Sequence, residues 1–215
     1  MKRETMDEKY TDIGATTEEA MEISRKSRGY ISSIVGDSSQ EDRIRQRCVI
    51  ATGDLSVAEM LRFNLDPVHA GLKALEKDAP IYADIKMVEA GIVKRMHGSA
   101  VKTFLGSGDD IANVKGITRT SAGVLALQNG LSGSIIVIGN APSALLTLCD
   151  LMESGRVLPA LVIGVPVGFV NAAESKEKLR EIAVPSISTV GTRGGTPIAV
   201  AAMNEIINIY ASPRL

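Results

Sequence analysis

The chain has 215 residues, which suits one large domain or two small ones and allows a substantial buried core. Hydrophobic residues make up 45% and charged residues 23%, a globular composition that argues against a disordered or solvated chain. The formal net charge of −1 leaves no global field to recruit nucleic acid or an acidic membrane surface, so anion recognition has to be local. Aromatic residues are only 3% and tryptophan is absent, so a pocket here is walled by aliphatic side chains and backbone rather than by stacking platforms.

The segment Met1 to Asp12 is charged and lacks the apolar core of a signal peptide, and no apolar run reaches the length of a membrane span. A cytoplasmic location is the expectation. Cys48 and Cys149 stand far apart within apolar stretches, without the spacing of a metal site, and read as buried free thiols.

The first third reads as helices announced by capping boxes: Thr16 with Glu19, Ser38 with Glu41, and Ser56 with Glu59. Asp66-Pro67 opens a further helix through Lys77, with proline where its missing N–H costs nothing. No strand is evident before residue 80. From Ala79 short apolar runs alternate with amphipathic stretches, as in βα units around a parallel sheet. Pro80 to Asp84 reads as a strand running into a helix around Met87 to Met96, and Val101 to Phe104 as a second strand. Thr118 to Gln128 reads as a helix stopped by Asn129-Gly130. Ser134 to Gly139, Ala160 to Val165 and Ser186 to Gly191 are the clearest strands. The expected fold is therefore α/β: a single domain over residues 1–215, three-layered, with a mainly parallel sheet and the helical N-terminal third packed on it.

In open parallel sheets ligands bind beyond the carboxyl ends of the strands, where turns expose backbone N–H groups and helix N-termini. Three turns fit that pattern: Gly139 to Ser143, Pro166 to Asn171, and Gly191 to Pro197, the last with an embedded arginine. In the second, Asn171 reads as a helix cap with Glu174 as its reciprocal partner. Such residues are also ordinary turn chemistry, and one turn alone means little. Three in series favour a ligand cleft. Neither of the two common glycine-rich phosphate cradles is present in the right context.

Read as strings, these segments resemble the precorrin-8X methylmutases. The resemblance rests on IGNAPSAL at Ile138 to Leu145, GVPVGFVNAAESKEKL at Gly164 to Leu179 and GTRGGTPIA at Gly191 to Ala199. Weaker matches are APIYADIKMVEAGI at Ala79 to Ile92, GITRTSA at Gly116 to Ala122 and EISRKSRGYI at Glu22 to Ile31. The resemblance implies a homodimer without a cofactor or metal, with active sites near the subunit interface. It also implies a methyl shift on ring C of precorrin-8X or cobalt-precorrin-8; the near-neutral charge leads to the expectation of no nucleic-acid or membrane partner. Ser27, Thr118, Arg119, Asn140, Arg193, Gly194 and Thr196 fall on the matching motifs and are the expected substrate-binding residues.

The catalytic histidine of that family falls in a segment represented here by Arg47-Cys48-Val49-Ile50-Ala51-Thr52-Gly53, and its position is Ile50. Isoleucine neither gives nor takes a proton. His69 and His97 stand elsewhere, and another acid, such as Asp54 or Asp84, is a candidate for the role. The closing motif carries Thr192 where relatives commonly have arginine, with Arg193 one position along, and Arg28 replaces an apolar residue. Two readings follow: an isomerase of cobalamin biosynthesis that uses another acid or positioning alone, and a non-catalytic relative that binds a tetrapyrrole.

Overall fold

The computed structural model describes residues 15 and 17–212. In chain order α1 (Glu18–Val35), α2 (Gln40–Thr52) and α3 (Ser56–Met60) lead to a short strand, β1 (Leu61–Asn64), and to α4 (Pro67–Glu76). There follow β2 (Ile81–Ala83), α5 (Lys86–Gly91), β3 (Val101–Thr103), α6 (Asp109–Lys115), α7 (Arg119–Leu131) and β4 (Ile135–Ile138). The chain ends with α8 (Pro142–Glu153), β5 (Leu161–Gly164), α9 (Ala172–Glu181), β6 (Ser186–Thr189) and α10 (Thr196–Ala211).

The strands form one sheet in the order β1-β6-β5-β4-β2-β3, parallel throughout except for β1. After β3 the chain crosses back over β2 to begin β4, so the winding reverses between β2 and β4. In a doubly wound sheet that reversal opens a crevice at the carboxyl ends of the two strands.

Period-two alternation divides the core. Ile135 and Val137 face one layer, with Leu161, Ile163 and Ile187, against α4 and α10. Ile136 and Ile138 face the other, with Val162, against α7, α8 and α9. Strands covered on both faces read as continuous apolar runs, which is why β4 and β5 were plain in the sequence; β6, Ser-Ile-Ser-Thr, is equally buried but carries hydroxyls. The helical first third reaches the sheet mostly at second hand: α4 lies on β5, whereas α2 lies on α10, which itself covers β4 and β5.

Several local expectations are corrected. A strand does precede residue 80: β1 pairs antiparallel with β6, Leu61 opposite Thr189. Its alternating Leu61-Arg62-Phe63-Asn64 is the pattern of a half-buried edge strand, too short to stand out by period. The box on α2 is Ser39 with Asp42, one residue past the expected pair. Ser56 caps nothing, because its N–H and Oγ both donate to the Asp54 carboxylate, at 2.9 and 2.7 Å. Thr16 and Met1 to Asp12 lie outside the described residues; α1 is capped by Thr17. α7 continues through Asn129 and Gly130 to Leu131, whose complete burial outweighs the poor helix propensity of the glycine. Asn171 does stand at the N-cap of α9 but in the left-handed region (φ 61°), with no side-chain cap. α5 stops at Gly91 rather than Met96, and α6 was not anticipated. Among the described residues no helix is long and apolar enough to cross a membrane.

Candidate functional site

The turns after β2, β4, β5 and β6 meet at the carboxyl edge of the sheet. Asp84 follows β2 and is fully buried; its Oδ2 accepts from the N–H of Asn140 at 2.7 Å and of Ala141 at 2.9 Å. This contact lies at the reversal between β2 and β4. Oδ1 of Asp84 is buried without a hydrogen-bond partner. Burial pushes the carboxyl pKa above its ordinary value, while the backbone donors of the 139–141 turn pull it back.

Gly139 sets the next contact. A Cβ there would stand 2.9 Å from Ala199 Cβ and 3.1 Å from Thr196 Cα, so the turn after β4 packs directly on the start of α10. A Cβ on Gly194 would overlap the Val165 carbonyl oxygen, which seats the closing turn on the turn after β5. Gly195 N–H donates to Val165 O at 2.8 Å and Gly168 N–H to Thr192 O at 3.0 Å, tying the same two turns. Thr118 caps α7 by accepting from Ser121 N–H, and its Oγ1 shares a 2.8 Å hydrogen bond with Ser143 Oγ in the first turn of α8. Two helix N-termini, with hydroxyls between them, therefore face this edge, where their dipoles favour an anion.

Arg193 leaves the closing turn toward the end of α2. Its Nη2 is paired with Asp54 Oδ2, and its Nη1 donates to Ser56 Oγ at 2.8 Å. α2 is held in place there by Cys48, whose Sγ lies 3.7 Å from Ile198 O in the first turn of α10. Ile50 sits half-buried on α2, packed against the core. The position expected to carry a histidine thus precedes Asp54 by four residues, with the end of α2 and its left-handed cap Gly53 between them.

Most of the predicted residues come together: Asp84, Thr118, Asn140, Gly194 and Thr196 share the edge, and Arg193 joins it to Asp54. Arg119 opens α7 but its guanidinium is engaged by Asp109, at 3.0 and 2.8 Å, in an exposed pair. Among the described residues no hydrogen bond joins Ser27 to them. Its neighbour Arg28 pairs with Glu205 at 2.8 Å, nine residues and so about 13 Å along α10 from Thr196. Arg28 itself is explained: it is buried against Gln46 and Glu205, the latter also held by Arg43 at 3.0 Å. Ser143, Ser56 and Lys176 were missed; hydroxyls and a lysine on helices carry no sequence signal until strand order is known. Cys48 and Cys149 are both buried, and burial pushes the Cys149 thiol up to about 12.

The family model described as precorrin-8X methylmutase matches residues 22–209. The cobalt-precorrin-8 methylmutase of Methanocaldococcus jannaschii is 40% identical over 206 residues, covering 91% of this chain and 96% of that one. The precorrin-8X methylmutase of Pseudomonas aeruginosa is 35% identical over 181 residues, covering 81% and 87%. Among solved structures, a precorrin-8X methyl mutase from Thermus thermophilus superposes with a TM-score of 0.82 at 35% identity, covering 89% of this chain and 96% of that one. With more than half of its length matched by the family model, and relatives above 30% identity covered nearly end to end, this chain belongs to the precorrin-8X methylmutase family.

Proposed function

We propose that the protein is an isomerase of cobalamin biosynthesis that moves a ring-C methyl group of precorrin-8X or cobalt-precorrin-8, giving hydrogenobyrinic acid or its cobalt form. The observation that carries this reading is the match to the methylmutase family over residues 22–209. The site suits such a substrate, an apolar macrocycle edged with carboxylates. The Thr118 and Ser143 hydroxyls and the N-termini of α7 and α8 lie at the sheet edge, Arg193 stands in the closing turn and Arg119 opens α7, with aliphatic side chains below. Thr118, Arg119, Asn140, Arg193, Gly194 and Thr196 bind the substrate. In a homodimer Ser27 acts across the interface. The chain works as a single domain in the cytoplasm.

The methyl shift needs the macrocycle polarised by a proton or by hydrogen bonds, and Ile50 supplies neither. Both oxygens of Asp54 are already engaged, Oδ2 by Arg193 and Oδ1 by Ser56. Asp84, raised by burial, holds a proton more readily and stands where the winding reverses. The remaining acceleration comes from holding the ring in a reactive geometry.

Titration of the purified protein with hydrogenobyrinic acid, followed by visible absorption and paired with a turnover assay on the precursor, tests this reading. Binding with turnover supports it. Binding without turnover identifies the second reading, a tetrapyrrole-binding relative, which Ile50 alone favours. No binding of either compound overturns both.

A further inference from the structure

The ESKEKL segment contributes a lysine that the expected binding residues do not include. Lys176 lies on α9 with no exposed surface, on the same face as Ala172 and Leu179. Its Nζ donates to the Arg193 carbonyl oxygen at 2.7 Å and to Thr189 Oγ1 at 3.1 Å, and Thr189 Oγ1 donates to that same carbonyl at 2.7 Å. An ammonium has three donors, and two are used here. The bonded partners of Nζ among the described residues are a carbonyl and a hydroxyl, with no carboxylate.

The surrounding charges do not compensate it. On α9, Glu177 lies 4.0 Å from Arg180, and Lys178 is held by Asp150 and Glu153 of α8. β6 brings hydroxyls and no charge: those of Ser188 and Thr189 are bonded to α9 cations, and Ser186 Oγ is buried without a partner among the described residues. Glu177 and Glu181 act on Arg180, against Arg62 of β1, and Arg193 is taken by Asp54; Arg180 is the charge felt at Lys176. Burial, and then the charge of Arg180, bring Lys176 down to about 8. A strut needs no charge, since a neutral amide donates equally well, and burying an ammonium without a carboxylate costs stability.

We propose that Lys176 is a positioning residue for anion recognition. It holds the Arg193 carbonyl inward, which directs the guanidinium outward beside Asp54, and it lends its uncompensated charge to a ligand carboxylate docked on the 191–195 turn. The inference rests on the carboxylate-edged macrocycle assigned above.

The test compares hydrogenobyrinic acid with its neutral methyl ester, titrated against wild type, K176M and K176Q, with melting curves as the folding control. Loss of the buried charge and of its hold on the 191–195 turn is expected to weaken binding of the acid by on the order of tenfold in both variants, with the ester unchanged. In turnover the loss falls on KM and not on kcat. Equal weakening of acid and ester marks a purely structural lysine and overturns the proposal, as does unchanged binding of the acid. If neither variant folds, wild type titrated from pH 6.5 to 9.5 reads the same quantity. Affinity for the acid should fall through about pH 8 while that for the ester stays level, and a level acid curve overturns the proposal. Wild type that binds neither compound overturns the parent reading together with this one; wild type that binds beside unaffected variants overturns this one alone.

Discussion

Arg193 of the closing turn is locked onto Asp54 at the end of α2, with Ser56 bonded to both. The pair joins the one loop of the site that carries an arginine to the helix on which the expected histidine is replaced by Ile50. Because the Arg193 side chain is about half exposed (52%), the pair contributes little to stability, on the order of 1 kcal/mol or less. Its effect is on ligand binding: a carboxylate on the substrate has to compete with Asp54. D54N is therefore expected to bind hydrogenobyrinic acid more tightly than wild type, R193A more weakly, and the double variant no better than R193A. Absorbance titration measures all three, and equal affinity in D54N and wild type would show that the guanidinium never reaches the ligand.

Ile50→His places an acid at the family's position and leaves both residues of the Asp54–Arg193 pair in place. Ile50 is half-buried against the core, so the change should cost some stability, visible as a lower melting temperature. Turnover of the precursor is expected to rise by about 10²–10⁴-fold, the usual contribution of one positioned acid. A folded Ile50→His variant with wild-type turnover would mean that the substitution at this position is not what limits the reaction.

The parallel sheet was legible in the sequence because Ile135 to Ile138 and Leu161 to Gly164 are buried on both faces and need apolar side chains at every position. β1 was not, since four residues are too few for its alternation to stand out. Helix α6 buries only Ala112, so it too has no apolar stripe to recognise. The site was legible as three glycine-bearing turns, but not as a constellation. Asp84 and Asn140 are 56 residues apart, and only the strand order β4-β2 brings them together. Lys176, in a run of charged residues on a helix, reads as solvated; its burial follows from how α9 closes over β6.

The buried cluster of Arg28, Arg43 and Glu205 ties α1 and α2 to α10. Removing Glu205, whose side chain is 1% exposed, leaves two guanidinium groups without their shared carboxylate. E205A is expected to destabilise the fold by about 3–5 kcal/mol, whereas R28M, which leaves the Arg43 pair intact, should cost less. Urea unfolding of the two variants checks the order. A milder effect for E205A than for R28M would show that the cluster is not held through Glu205.

Asp84 gives the fold a pH dependence of determinate sign. Its carboxyl pKa is raised in the folded state, so between the unfolded and folded values the native protein binds more protons than the unfolded chain. Stability contributed by this group is therefore present below its unfolded pKa and is lost as pH rises through the folded value. D84N keeps the shape and a carbonyl oxygen able to accept from Asn140 and Ala141, and it has no charge to bury. The stability of D84N relative to wild type should rise from pH 4 upward and level off once wild-type Asp84 is ionised. Urea unfolding across pH 4 to 8 gives the difference directly. A difference that stays flat over that range would mean that the two backbone donors offset the burial completely, leaving Asp84 an ordinary carboxylate that anchors the Asn140 turn and removing it as a candidate acid.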